Sequence, residues 1–275
     1  MHEPVHKRTA NMSFTAELKD FLKFLRAPRF SPRLPGQTLG DAWLKDWFAP
    51  FPVGRLFLWA LLLWLVNLLI FGPIAVAAAG AGGAQHRLNL AQIPWLHAVL
   101  WAPLVEELVF RYGLRRPAQL CLILPIGIIC LLAGPQWYVQ ILLALSLYLL
   151  FSRAAWSTRD RIAPNAGFWV KALAFVQGRP WPWSAYKRYR RYFPYVFYTA
   201  TLAFAALHLY NFNLNRAPWH LWPLLVLPQA ITGLVVGWLR IRRGIGAAIF
   251  LHAIFNAGPL LLVFLILKMA PDLTT

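Results

Sequence analysis

Acidic residues are scarce in this chain, nine among 275, against 27 Lys and Arg. Charged residues of both signs make up only 13% where a soluble domain carries about a quarter, and 59% of the residues are hydrophobic. That balance excludes an ordinary water-soluble domain. There are two cysteines, Cys121 and Cys130. Nine helical residues turn about 180°, so they fall on opposite faces, which excludes a disulfide framework or a cysteine metal site. Internal repeats and low-complexity tracts are missing. So is a small-residue cleavage pattern behind the first apolar run, which is therefore read as a retained span and not a signal peptide.

What the chain has in abundance is long apolar stretches. Those at 56–79, 194–213, 219–239 and 245–267 each approach the roughly 20 residues that cross a bilayer, and 93–110, 117–133 and 136–151 are shorter but as apolar. The expectation is an all-α, polytopic transmembrane bundle of about seven spans, occupying 55–268. Residues 1–54 read as a cytoplasmic, partly ordered N-terminal arm and 269–275 as a short tail. With the N-terminus inside, 24 of the 27 Lys and Arg fall on inner segments, leaving Arg87, Arg216 and Lys268. The basic and aromatic run Tyr186–Tyr192 suits an anionic headgroup layer. Lipid is the implied partner of the net +18 charge and nucleic acid is not. The expected location is a multi-pass integral membrane protein of a bacterial inner membrane.

Five of the nine acids lie in the arm, Asp160 in the basic loop and Asp272 in the tail, which leaves the adjacent pair Glu106 and Glu107 in an apolar span. One ionised carboxylate there costs roughly 2.5–3.5 kcal/mol on insertion scales. Glu107 and Arg111 are four apart and share a helical face, so they are expected to pair. Glu106, rotated about 100° away, has no cation on its own helix and must look to another. The polar groups on offer are His208, behind Phe204 on one face, and His252 with Asn256 on one face of a later span. Counted from the inner helix ends at about 1.5 Å per residue, all four lie roughly 12–21 Å up, one layer near mid-membrane. His97 reads as interfacial, and Asn67, Gln140 and Gln229 as single amides making interhelical hydrogen bonds.

A carboxylate in a low-dielectric chamber suits a general base that takes a proton from water. Glu106 fits that role with His208 orienting the water, and His252 and Asn256 fit as donors to a developing oxyanion. Hydrolysis of an amide bond inside the membrane follows. One carboxylate and two imidazoles, Glu106, His208 and His252, would also bind Zn²⁺. No cofactor is required by the first reading and zinc by the second. HExxH is not present.

The three clusters together resemble the CAAX-protease and bacteriocin-processing family, also called Abi, whose members are intramembrane endopeptidases. Glu106-Glu107-Leu-Val-Phe-Arg111 is similar to its EExxxR motif, Phe204-Ala-Ala-Leu-His208 to FxxxH, and His252-Ala-Ile-Phe-Asn256 to HxxxN. The resemblance covers 93–262 and implies that Glu106 activates water with His208 while His252 and Asn256 hold the oxyanion. Glu107, Arg111 and Phe204 are then structural support. It also implies a membrane-associated or prenylated protein or peptide as substrate. Members were long labelled metalloproteases, while the better-studied ones look like glutamate-type proteases. Two departures stand out: Tyr112 separates Arg111 from Gly113 where many members read EExxxRG, and 117–193 forms an insertion between the first two motifs. Rival readings are a catalytically silent membrane scaffold on the same fold and an ion-coupled transporter, the latter without paired repeat halves or matching broken helices.

Overall fold

The computed structural model describes residues 12–30, 43–48, 51–87, 94–152, 167–168, 183–214 and 217–269. Within these the chain is helical, apart from one antiparallel ribbon of two-residue strands, β1 (Gln85–His86) and β2 (Phe212–Asn213). The helices, in order, are α1 (Phe14–Arg26), α2 (Trp43–Phe48), α3 (Val53–Gly82), α4 (His97–Arg115) and α5 (Leu120–Ala133). They continue with α6 (Trp137–Ser152), α7 (Trp183–Leu207), α8 (Trp219–Leu225), α9 (Leu227–Arg243) and α10 (Ile245–Met269). Each expected apolar stretch corresponds to a helix or a bent helix pair. By length and composition, however, two helices qualify as spans, Val53–Gly82 and Ile245–Ile266, or three if α8 and α9, bent by 50°, count as one. The expected seven overcounts on that measure because α5 and α6 are short, α4 carries four charges, and α7 begins with the basic run Lys187–Arg191.

Two of the helices contain π-helical turns, and proline accounts for where they fall. Asn67–Phe71 in α3 precedes Gly72-Pro73, and His97–Trp101 in α4 precedes Ala102-Pro103. Proline lacks the N–H that would close the preceding α-turn, so the backbone re-pairs five residues apart, Gly72 N–H to Asn67 O and Ala102 N–H to His97 O. A third π turn, Leu108–Tyr112, follows the short α-helical stretch Ala102–Glu107.

The N-terminal segment expected to be a separate arm is docked. Helix α1 is amphipathic and buries Phe21 and Phe24 against Trp59, Trp238 and Phe197, with the Trp59 and Trp238 rings tilted at 49° and 4.9 Å between centroids. Ser13 caps α1 by accepting from Ala16 N–H. Its acids meet the basic end of α9: Glu17 to Arg243 at 2.5 Å, Asp20 to Arg242 at 2.7 Å, and Asp46 of α2 to Arg240 at 2.7 Å. Glu17 and Asp20 also accept from the indoles of Trp59 and Trp238. Arg240, Arg242 and Arg243, read from the sequence as charges at the membrane face, are buried. Burying three guanidinium groups is tolerable because each has a carboxylate. Gly244 (φ +110°) and Gly246 let α2 lie on this corner, since a Cβ on Gly244 would fall 2.5 Å from Asp46 O.

The hairpin α5–α6, from the insertion, packs on α4: Cys130, Val139 and Leu143 share a buried cluster with Val105, Leu108 and Val109. Cys130 is buried and Cys121 exposed. The rest of the basic loop, 153–166 and 169–182, lies outside the described residues, as do 31–42, holding most of the Pro-containing run, and 270–275 of the tail.

Candidate active site

The chamber is built from α4, α7, α9 and α10. Glu106 and Glu107 end the α-helical stretch of α4, so they point in different directions as the 100° step requires. Glu107 is fully buried, and its Oε1 accepts from Arg111 Nη1 at 2.7 Å, the expected four-residue pair. The same oxygen lies 2.9 Å from His252 Nδ1 on α10. Arg111 is held in place from its other side: its guanidinium stacks 3.6 Å over the ring of Phe204. The extra residue of the Arg111-Tyr112-Gly113 stretch falls in the π turn Leu108–Tyr112, which holds one residue more than an α-turn. Tyr112 is buried there, bonds Gln119 through its hydroxyl, and offers its carbonyl to Arg240.

Glu106 is 12% exposed, and its Oε2 has no hydrogen-bond partner among the described residues. It sits 3.7 Å from His252 Nε2, longer than a direct hydrogen bond. His252 therefore stands between the two glutamates, Nδ1 toward Glu107 and Nε2 toward Glu106. The sequence placed His252 beside Asn256 only, and did not find its bond to Glu107.

His208 opens a 3-10 turn, His208–Asn211, at the end of α7, and so lies at the helix exit instead of deep within a span. Its Nδ1 pairs with Phe204 O at 2.9 Å and its ring meets Phe204 edge-on at 4.7 Å. This directs Nε2 away from its own helix. Phe204, which also touches Arg111 and His252, sets His208 beside the same chamber, without a hydrogen bond to Glu106, His252 or Arg111 among the described residues. Just beyond it the β1–β2 ribbon ties the chain down, with Arg87 donating to Asn213 Oδ1 and Asn211 O. Asn256 donates through Nδ2 to Ala98 O at 2.9 Å. That carbonyl sits in the π turn, where its partner five residues on is Pro103, which has no N–H to give. Asn256 thus closes a gap that proline opened, and its second amide hydrogen remains available.

Phe204 is the hub, touching Arg111, His208 and His252, the last at 5.7 Å between centroids. Room for it comes from Gly233 of α9, where a Cβ would lie 3.0 Å from Phe204 and 3.1 Å from Arg111 Nη2. Gly233 was not legible as a site residue, because a glycine in an apolar helix carries no chemical signal.

For zinc, a tetrahedral set needs donor atoms about 3.3 Å apart around one point. Among the described residues no three His, Cys, Asp or Glu side chains converge in this way.

A protein-family model described as type II CAAX prenyl endopeptidase, Rce1-like, matches residues 89–258, which contain all three motifs. No curated protein and no solved structure matches the chain.

Proposed function

Starting from the chain's membership of the Rce1-like type II CAAX prenyl endopeptidase family, a protease family, we propose that it is an intramembrane endopeptidase whose general base is Glu106. The seven apolar helical segments are read together as its membrane bundle, and the substrate as a membrane-associated or prenylated protein or peptide.

In this reading a water held between Glu106 and His208 gives its proton to Glu106 as its oxygen attacks the scissile carbonyl carbon. The negative charge that forms on the carbonyl oxygen is met by His252 Nε2–H and by the second amide hydrogen of Asn256. With Nδ1–H already given to Glu107, His252 donates from Nε2 only as the doubly protonated ring, and Glu107 is the counter-charge. Glu106 then returns its proton to the amine nitrogen as the C–N bond breaks, releasing an amine and a carboxylic acid, whose remaining proton passes to the amine or to water. Glu107, pinned by Arg111, orients His252 much as a carboxylate orients a metal-bound or catalytic histidine.

The observation that carries the assignment is the asymmetry of the pair: each has a buried, unpaired Oε2, but Glu107 Oε1 is engaged twice, by Arg111 and His252, while Glu106 makes no hydrogen bond among the described residues and faces His252. The test uses the purified protein in lipid vesicles with a farnesylated peptide ending in a CAAX sequence. Cleavage that survives strong chelators, with less than stoichiometric zinc by elemental analysis, and disappears in Glu106→Gln, supports the reading. Activity lost on chelation and restored by Zn²⁺ alone would replace it with a metal-dependent one.

A further inference from the structure

Gln229, on α9, is a polar side chain to which the hydrolytic steps assign nothing. Helix α9 runs antiparallel to α7: a Cβ on Gly237 would lie 2.9 Å from Phe197, and one on Gly233 3.0 Å from Phe204 and 3.3 Å from Thr201. One further turn outward along both helices brings Gln229 level with His208. Four residues before Gly233, it shares the face that meets Phe204 and Arg111. Ala230 beside it belongs to the same apolar cluster as Ala205 and Leu209, as this register requires.

Each of the other intramembrane amides makes at least one hydrogen bond, Asn67 to Thr232 Oγ1, Gln140 to Pro135 O and Asn256 to Ala98 O, although Asn67 Oδ1 is itself buried and unpaired. Gln229 Oε1 is buried and has no hydrogen-bond partner among the described residues. A buried acceptor left unpaired is costly, and such a group in a chamber wall beside the reacting centre is set for a ligand's donor. The ligand of this site, on the hydrolytic reading above, is a polypeptide. An extended peptide drawn out of water carries backbone N–H groups that must find acceptors, and they alternate in direction along the strand.

We propose that Gln229 is a substrate-binding residue whose Oε1 accepts one backbone N–H of the extended peptide beside His208. The contact discriminates: a peptide with no N–H at that position, whether proline or an N-methylated residue, loses it. This inference rests on the hydrolytic reading of the site, and its test separates the two.

The experiment uses the full-length protein in lipid vesicles and a farnesylated CAAX peptide, together with a series of the same peptide carrying one N-methylated bond at each position in turn. Gln229→Met keeps the side-chain length and removes the amide. It should raise KM about 5–10-fold with kcat changed less than about twofold, and leave the melting temperature unchanged or higher. N-methylation at one position should cost the wild type a similar factor and cost Gln229→Met nothing further, since the two changes remove the same bond. If KM is unchanged in Gln229→Met, or every N-methyl penalty persists in it, the assignment is overturned. A lowered melting temperature with kcat and KM both impaired marks Gln229 as structural and overturns it too. If the wild type cleaves no peptide, the hydrolytic reading falls; if it cleaves and Gln229→Met behaves as wild type, only the Gln229 assignment falls.

Discussion

His252 Nδ1 lies 2.9 Å from Glu107 Oε1, the oxygen that also accepts from Arg111. One carboxylate oxygen thereby links the helix that carries the adjacent glutamates to the helix that carries the HxxxN motif. Losing it affects packing and the orientation of an imidazole at once, whereas Glu106, 3.7 Å from His252 Nε2, makes no hydrogen bond that fixes either.

The two glutamates are therefore expected to separate in a paired measurement. Glu107→Gln should lower the melting temperature in detergent, because Arg111 stays buried without its counter-charge, a change that costs about 3–5 kcal/mol when a buried pair is broken. Turnover should fall about 10–100-fold as His252 loses its orienting partner. Glu106→Gln should hold or raise the melting temperature and abolish cleavage. A Glu106→Gln protein that still cleaves would transfer the base to another residue.

Gly233 and Gly54 make a matched pair for substitution by alanine. A Cβ at Gly54 meets nothing within 4 Å, and one at Gly233 meets Phe204, Arg111 and Thr201 at 3.0–3.3 Å. Gly54→Ala should leave stability and turnover near wild type. Gly233→Ala should destabilise by about 1–3 kcal/mol and reduce turnover by displacing Phe204. Equal behaviour of the two would mean that α9 shifts without disturbing the site.

The N-terminal dock should be an energetic part of the bundle. Arg240 pairs with Asp46 and donates to the carbonyls of Arg111 and Tyr112 at the end of α4. Arg240→Ala should cost several kcal/mol of stability, against little for exposed Arg188→Ala. The double variant Arg240→Met with Asp46→Leu should recover part of that loss, since the buried pair is removed together and only the partly exposed Arg116, 3.7 Å from Asp46, loses a carboxylate. Thermal unfolding of the four proteins in one detergent measures this.

Orientation is open to a labelling test in a background of Cys121→Ser and Cys130→Ala. Arg87→Cys, near β1, should react with an impermeant thiol reagent in intact cells, and Arg188→Cys, on the basic start of α7, only after permeabilisation. Both native side chains are exposed. The reverse pattern would invert the bundle and place the basic segments outside.

Taken alone, the sequence determined the lipid-facing, helical character of the chain, the Glu107–Arg111 pair and the short list of polar side chains. Each of these follows from local physics: hydropathy over about 20 residues, the i to i+4 helical neighbourhood, and the cost of polar groups in lipid. It did not determine which nitrogen of His252 meets which glutamate, that Asn256 bonds the Ala98 carbonyl, or that Gly233 makes room for Phe204. Those depend on residues 29 to 158 positions apart, and on π turns that shift helical phase by one residue and so escape a reading at 3.6 residues per turn. The N-terminal acids read as a solvated arm because their partners, Arg240, Arg242 and Arg243, lie about two hundred residues away along the chain. Only the tertiary structure, by bringing α1 and α2 onto the end of α9, decided that these charges would be buried together, because a carboxylate and a guanidinium leave water at tolerable cost only when they do so as a pair.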